Sequence, residues 1–260
     1  MHRKMAALRT GTRSILTCAV LSLGAAIGTP TLGAAPLSFS QAMTGQRAGE
    51  RADPPVIGRY QTDEGGEFVL DRSAPRPLLK FGDNPEIWVL QTAPGPRGDT
   101  IYRNDLGEEM LRATRMGGMT VFTVTRPDGS AAAFDGASAP LRIAPALSPE
   151  ALELRLFQDM IRTSRVTQHQ IGFAAGKDPN PYTSALMADT AMVVSQALID
   201  MAGRPANKGI VTRIMDVMIV VGPHPAVTLA KGVLTVTITP SQGVAGRPSS
   251  RWIERATKAK

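Results

Sequence analysis

The sequence predicts an α+β protein: an N-terminal antiparallel β-meander or small barrel, then two to three helices, then a C-terminal three-stranded antiparallel unit. Three observations support this class. Short runs rich in β-branched and aromatic residues, separated by turn residues, recur through residues 56–144. From 147 onward the apolar residues follow the period of amphipathic helices. Between 216 and 239 the alternation typical of strands returns.

Residues 1–34 have the pattern of a secretory signal peptide. A basic head without acidic residues precedes an apolar run over 15–27, which is shorter than the roughly 20 residues of a permanent membrane span. Cleavage is expected within 32–34. The polar segment 35–55 is interpreted as a flexible leader. These features predict an exported bacterial protein, periplasmic or secreted.

Charge and cysteine content exclude several classes of function. The full chain has a formal net charge of +7, but four of its basic residues belong to the signal. The mature chain therefore has almost equal numbers of basic and acidic residues, and this charge gives no support to a nucleic-acid partner. The single cysteine, Cys18, lies in the signal, near the start of its apolar core. This position disfavours lipidation, and the mature chain has no thiol for a disulfide or a metal site.

The first half of the mature chain, residues 56–144, is predicted to hold eight strands. Their connections are short and rich in Gly, Pro, Asp and Asn, which favours neighbouring antiparallel strands, rolled up or closed into a barrel. The predicted strands are Ile57 to Gln61, Glu67 to Asp71, Pro77 to Phe81, Glu86 to Gln91, Thr100 to Arg103, Glu109 to Thr114, Thr120 to Thr125 and Ala131 to Phe134.

Helices are predicted from 149 onward, in a helix-plus-hairpin region over 147–257. Ser148 is a candidate cap for the first helix, with a proline behind it. The second helix is predicted from Tyr182 to Ala202 and is apolar on nearly all sides, so it is expected to be central. Its polar residues argue against a membrane span, and no transmembrane segment is predicted after cleavage. Pro205 can open a short third helix.

The last predicted strands are Asp216 to Val221, Ala226 to Ala230 and Val233 to Thr239. If Lys231 and Gly232 form the turn of the final hairpin, Leu229 faces Leu234 and Val227 faces Val236. A short amphipathic tail follows around Trp252 and Ile253. The sequence leaves open whether the β region and this region share one core.

The sequence assigns no catalytic, cofactor-binding or metal-binding residue. His169 and His224 are 55 residues apart and have no second ligand at helical spacing. No nucleophile motif and no phosphate-binding loop are present. We therefore favour an envelope binding or assembly module without a cofactor. The alternative is a periplasmic hydrolase with a site assembled from scattered Asp, His and Ser residues, which Asp189 or Asp216 beside His169 would support.

One surface is a candidate for an anionic partner, such as an acidic envelope polymer or an envelope protein. Five arginines lie between 97 and 126, and the predicted hairpin over 100–114 can bring two of them together. The alternative interpretation is a solvated strand face paired with local acidic residues at 105, 108 and 109. The candidate residues are Arg103, Arg112 and Arg115.

Several blocks of the chain resemble an uncharacterised family of exported bacterial proteins, known only as a domain of unknown function. They are FVLDRS at 68–73, PLLKF at 77–81, EIWVL at 86–90, GDTIYRND at 98–105 and SQGVAGRPSS at 241–250. The resemblance covers most of the mature chain, from about 58 to 250. It implies one coherent exported unit and brings no activity, ligand or catalytic residue with it.

Overall fold

Alternating apolar residues and glycine-containing turns organise residues 56–137 into nine antiparallel strands. The computed structural model describes residues 56–177 and 179–259, so the predicted signal peptide and leader lie outside the described residues. The strands are β1 (Ile57–Thr62), β2 (Glu67–Asp71), β3 (Leu78–Phe81), β4 (Trp88–Val89), β5 (Gln91–Pro94), β6 (Thr100–Arg103), β7 (Glu109–Ala113), β8 (Met119–Val121) and β9 (Ser130–Ala137).

The sheet closes on itself through a single extended segment. Its strand order is β4-β3-β2-β1-β9-β8-β7-β6-β5, and the two end strands are separated in sequence by Leu90 alone. The Leu90 N–H donates to the carbonyl oxygen of Pro77 at 2.8 Å. Residues 88–94 therefore pair with β3 on one side and with β6 on the other. The result is the predicted small barrel.

The described residues of the second half form four α-helices and four strands. Ser148 caps the first helix as predicted, since its Oγ accepts a hydrogen bond from the Ala151 N–H at 3.2 Å. Asn180 and Thr183 form a capping box at the second helix. The elements are α1 (Pro149–Thr167), β10 (Gly172–Ala175), α2 (Pro181–Ala202), α3 (Lys208–Val211), β11 (Asp216–Val221), β12 (Ala226–Ala230), β13 (Val233–Ile238) and α4 (Ser250–Lys258).

The C-terminal sheet has four strands in the order β10-β11-β13-β12. The β12–β13 hairpin has the predicted register, with Val227 opposite Val236 and Leu229 opposite Leu234. The sheet differs from the three-stranded antiparallel prediction in two respects. A fourth strand, β10, joins it through the α2 crossover and is therefore parallel to β11. In addition, β13 inserts between β11 and β12, so β11 and β13 are parallel.

Helix α2 is the centre of the second half, as predicted from its apolar circumference. It packs against α1, α4 and β11, and Met187, Val194, Leu198 and Met201 are buried. Among the described residues it is the one helix that is long and apolar enough to cross a membrane, and 61% of its apolar window is buried inside the protein. The described residues belong to one compact unit with two hydrophobic clusters, one in the barrel and one around α2.

Candidate functional site

One end of the barrel forms a cavity together with two helices. The rim consists of the loops at 63–66, 82–87 and 122–129, which connect strands at the same end of the barrel. The C-terminal part of α2 and the N-terminal part of α4 form the other wall. The cavity has a volume of about 890 Å³, which is in the range of small-molecule sites, and barrel mouths are common positions for such sites.

The barrel side of the cavity is apolar and aromatic. Phe68, Phe81, Trp88 and Phe122 line it together with aliphatic residues of β7 and β8. The rings of Phe68 and Phe81 lie 6.2 Å apart between centroids, and Phe68 stacks on Tyr60 at 5.2 Å. The Trp88 Nε1 is buried and has no hydrogen-bond partner in the described part of the chain. Phe68 and Trp88 are 1% and 5% exposed, so the half-buried Phe81 and Phe122 supply most of the aromatic surface that faces the cavity.

The rim and the helical side carry charged residues, most of them in ion pairs. Arg126 pairs with Glu64 across the two loops. On the helical side Glu254 pairs with Arg204 and with Lys258, the latter at 2.6 Å. Burial opposes ionisation of Glu254, but the hydrogen bond from Lys258 and the charge of Arg204 hold its pKa below the usual value.

Three charged residues of the cavity lining have no salt bridge among the described residues. They are Asp83, Asp200 and Arg251. Asp200 accepts a hydrogen bond from the Gln196 side chain at 2.8 Å. Burial raises the pKa of Asp200, against the opposing effects of that hydrogen bond and of the charge on Arg204. A carboxylate in this setting is stabilised by any added positive charge.

A buried arginine fixes the helical wall to the barrel. The Arg247 side chain is 2% exposed, and its Nε donates to the carboxylate of Asp189 on α2. Its Nη2 donates to the carbonyl oxygen of Ile87 at 2.8 Å, and its Nη1 lies 3.6 Å from Glu86 Oε1. One guanidinium therefore contacts both the β3–β4 loop and the central helix.

The N-terminus of α4 is bound to the same end of the barrel as Arg247. The Ser250 N–H donates to Glu86 Oε1 at 3.0 Å, and Ser249 donates to Asp105 through both its N–H and its hydroxyl, at 2.8 and 2.7 Å. Burial raises the pKa of Glu86 to about 7, although Arg247 and Ser250 oppose this effect. The other carboxylate oxygen, Glu86 Oε2, has no hydrogen-bond partner among the described residues.

We define Glu86, Asp189 and Arg247 as the buried ion cluster. Sequence reasoning missed it, because Glu86 and Arg247 are 161 positions apart and Glu86 was expected inside a strand. The segment SQGVAGRPSS at 241–250, which carries the family resemblance, supplies Arg247 and both serines. That block was the available signal in the sequence.

The predicted arginine surface is distributed over two strands and a turn. Arg103 donates through Nη1 to the Gly107 carbonyl oxygen at 2.7 Å. Arg112 donates through Nε to Glu109 at 2.8 Å, and this hydrogen bond raises its pKa. Arg115 lies beside Gly98. Two of the three candidates thus have local partners, and their role in binding an anionic partner stays a prediction.

The residues named for the hydrolase alternative have other partners. A ring N–H of His169 donates to the Ile214 carbonyl oxygen at 3.0 Å, whereas Asp189 binds Arg247. Asp216 begins β11 opposite Gly172. Within 56–177 and 179–259, no group of three or more His, Cys, Asp or Glu residues has a geometry that could hold a metal ion.

Comparison with known proteins identifies the family and nothing beyond it. The family model described as Domain of unknown function (DUF4908) matches residues 38–257. The chain therefore belongs to this family, and the resemblance noted in the sequence is confirmed at that level. No curated protein and no solved structure matches the chain.

Proposed function

We propose that this member of the DUF4908 family is a binding module of the bacterial cell envelope, and that it takes a small ligand at the mouth of its barrel. The observation that carries the proposal is the cavity of about 890 Å³ between the barrel rim and helices α2 and α4. Its aromatic wall and charged rim combine a surface that buries an apolar group with residues that orient a polar one. The predicted signal peptide supports the location.

The attachment of the helical wall also supports a binding role. The buried ion cluster and the bonds from Ser249 and Ser250 hold α4 against the barrel end. A wall fixed in this way loses little conformational entropy when a ligand binds, so more of the contact energy is available for affinity. A cavity formed by strands and anchored helices is a preorganised site.

The ligand can be sought directly in the mature protein. Native mass spectrometry after incubation with the small-molecule fraction of an envelope extract is expected to show one retained species. Val124→Trp should remove it, because Val124 lines the cavity and is 53% exposed, so the larger side chain can occupy the mouth without disturbing a core. Val221→Trp is the matched control, since Val221 is equally exposed and lies on β11 outside the cavity lining.

Two results would contradict the proposal. One is the absence of any retained species. The other is equal retention by the Val124→Trp and Val221→Trp variants, which would place the ligand elsewhere.

Export is tested independently of the ligand. The intact mass of the protein in envelope fractions is expected to correspond to a chain that lacks about its first 34 residues. A cytoplasmic product that retains Met1 would contradict the envelope location and leave the cavity experiment unaffected.

A further inference from the structure

We infer that the ligand of the barrel mouth is a small organic cation, with an ammonium group carried on an apolar body. This inference rests on the proposed function and deepens it. It comes from the charges around the cavity and from the aromatic rings that line it.

Acidic residues outnumber basic ones around the cavity. Three guanidinium groups line it, those of Arg126, Arg204 and Arg251. Five carboxylates line it, those of Glu64, Glu67, Asp83, Asp200 and Glu254. The excess of negative charge lies at the mouth of a partly enclosed site, where field lines are focused, and it favours a positively charged ligand.

The negative charge of the cavity remains in excess after the ion pairs are counted. Arg126 neutralises Glu64. Glu254 pairs with both Arg204 and Lys258, so this group has one positive charge in excess. Arg59 pairs with both Glu67 and Asp135, so that group has one negative charge in excess. The remaining lining charges are two carboxylates, Asp83 and Asp200, and one guanidinium, Arg251. One added positive charge therefore balances the lining.

The aromatic wall is suited to the same kind of group. Phe81 and Phe122 are half-buried at the rim, and Phe68 and Trp88 lie deeper in the barrel. Aromatic faces attract ammonium and guanidinium groups through the ring quadrupole. Phe122 already has one such contact, since the guanidinium carbon of Arg112 lies 5.7 Å from its ring centroid. Because the deeper rings are almost fully buried, Phe81 and Phe122 are the rings that can contact the apolar body of the ligand.

The ligand class that the charges and rings favour is an apolar body at the aromatic wall with an ammonium group at the charged rim. Trp88 adds no hydrogen bond to this ligand, because its Nε1 is fully buried.

Matched probes test the charge requirement on the mature protein. Acetylcholine carries a quaternary ammonium group and an ester oxygen, and its neutral isostere has a carbon atom in place of the nitrogen. Hexanoate provides an anion of similar length. Titration calorimetry and ligand-observed NMR at millimolar concentrations are expected to show acetylcholine binding at least about tenfold more tightly than the isostere, with hexanoate weakest.

Two pairs of variants test whether the preference for the cation over its isostere arises in the cavity. Asp200→Asn keeps the shape of the side chain and removes its charge, and it should lower the affinity for acetylcholine about fivefold without changing that for the isostere. Glu153→Gln on the exposed side of α1 is the charge control. Phe81→Leu should give a smaller loss with the same selectivity, and Phe134→Leu, at a ring that lies outside the cavity lining, should give none.

The outcomes separate the ligand class from the proposed function. Equal binding of the cation and its isostere, or tighter binding of hexanoate, overturns the cationic class, while loss of that binding in Val124→Trp still supports the cavity as the site. Binding of none of the probes also overturns the cationic class. In that case the extract experiment with Val124→Trp decides separately whether the cavity binds a ligand at all.

Discussion

The two cores of this protein differ in composition, and the difference corresponds to different tasks. The cluster around α2 consists of buried Leu, Ile, Val, Ala and Met side chains. The barrel cluster contains four buried aromatic residues, Tyr60, Phe68, Trp88 and Tyr102. Two of these, Tyr60 and Trp88, carry a buried polar atom without a hydrogen-bond partner in the described part of the chain. The aliphatic cluster is suited to support, whereas the aromatic cluster continues into a lined cavity.

The junction between the two cores is polar. Aliphatic residues pack closely around α2 and need no partner outside their own region. At the barrel end, the buried ion cluster and the two serines join loop, helix and strand ends through directional contacts. Such contacts fix an orientation more than they add stability, because removing charges from water is costly.

The largest effect is expected from Arg247→Met. The substitution leaves Glu86 and Asp189 buried without a counter-charge, and breaking a buried pair by removal of one partner costs about 3–5 kcal/mol. The free energy of unfolding from urea denaturation measures the loss. Arg59→Met is the control, since Arg59 is exposed and its pairs with Glu67 and Asp135 should contribute at most about 1 kcal/mol. If Arg247→Met lowered the free energy of unfolding no more than Arg59→Met does, the buried ion cluster would be dispensable for stability.

Leu198→Ala should have the next largest effect. Leu198 is fully buried on α2, and truncation of such a side chain costs about 2–5 kcal/mol, because the transfer free energy is lost and a cavity remains. Phe81→Leu at the barrel mouth should cost less than about 1.5 kcal/mol, since the ring is only half-buried and the replacement stays apolar. Thermal or urea denaturation measures both. Similar losses at the two positions would contradict the distinction between the supporting core and the lined cavity.

Protonation of Glu86 is expected to make the free energy of unfolding depend on pH. Its pKa in the folded protein, about 7, is above the usual value of 4.5. Protonated Glu86 therefore makes its full contribution to the free energy of unfolding below about pH 4.5. This contribution is lost as the pH rises to about 7, and the free energy of unfolding falls by about 3 kcal/mol in total. Urea denaturation between these pH values measures it.

Glu86→Gln should remove this component of the slope. The side chain keeps its shape, so the difference between wild type and variant isolates Glu86 from other shifted groups such as Asp159. Parallel slopes of wild type and variant would mean that Glu86 does not titrate in this range.

The local patterns of the sequence predicted most of the fold. Strand alternation and turn residues located eight strand regions, and the β12–β13 register followed from placing Lys231 and Gly232 in the turn. Lys231 does adopt a left-handed conformation, with φ of 50°, and Gly232 follows with φ of 82°. The cap at Ser148 was equally local. Features determined by neighbouring residues are accessible from sequence alone.

The missed features depend on distant contacts. Strand β10 contains Gly172 and two alanines, which have weak strand propensity, and it exists because β11 pairs with it. Strand β5 closes the barrel by pairing with β6 after Leu90, although Pro94 weakens its pattern. The cavity lining comes from barrel loops and from two helices far along the chain. No short motif encodes such a site, so the sequence assigned no ligand-binding residue there.

The smallest effect on stability is expected at the predicted arginine surface. Arg103 and Arg112 form local contacts at exposed positions, so the double variant Arg103→Gln and Arg112→Gln should change the free energy of unfolding by less than about 1 kcal/mol. If the surface binds an acidic polymer or protein, the variant should capture less of it from envelope extracts, and the salt dependence of capture should flatten. Arg59→Gln, on β1, is the matched control. Unchanged capture by the double variant would exclude this surface as the binding site and leave the barrel mouth as the remaining candidate.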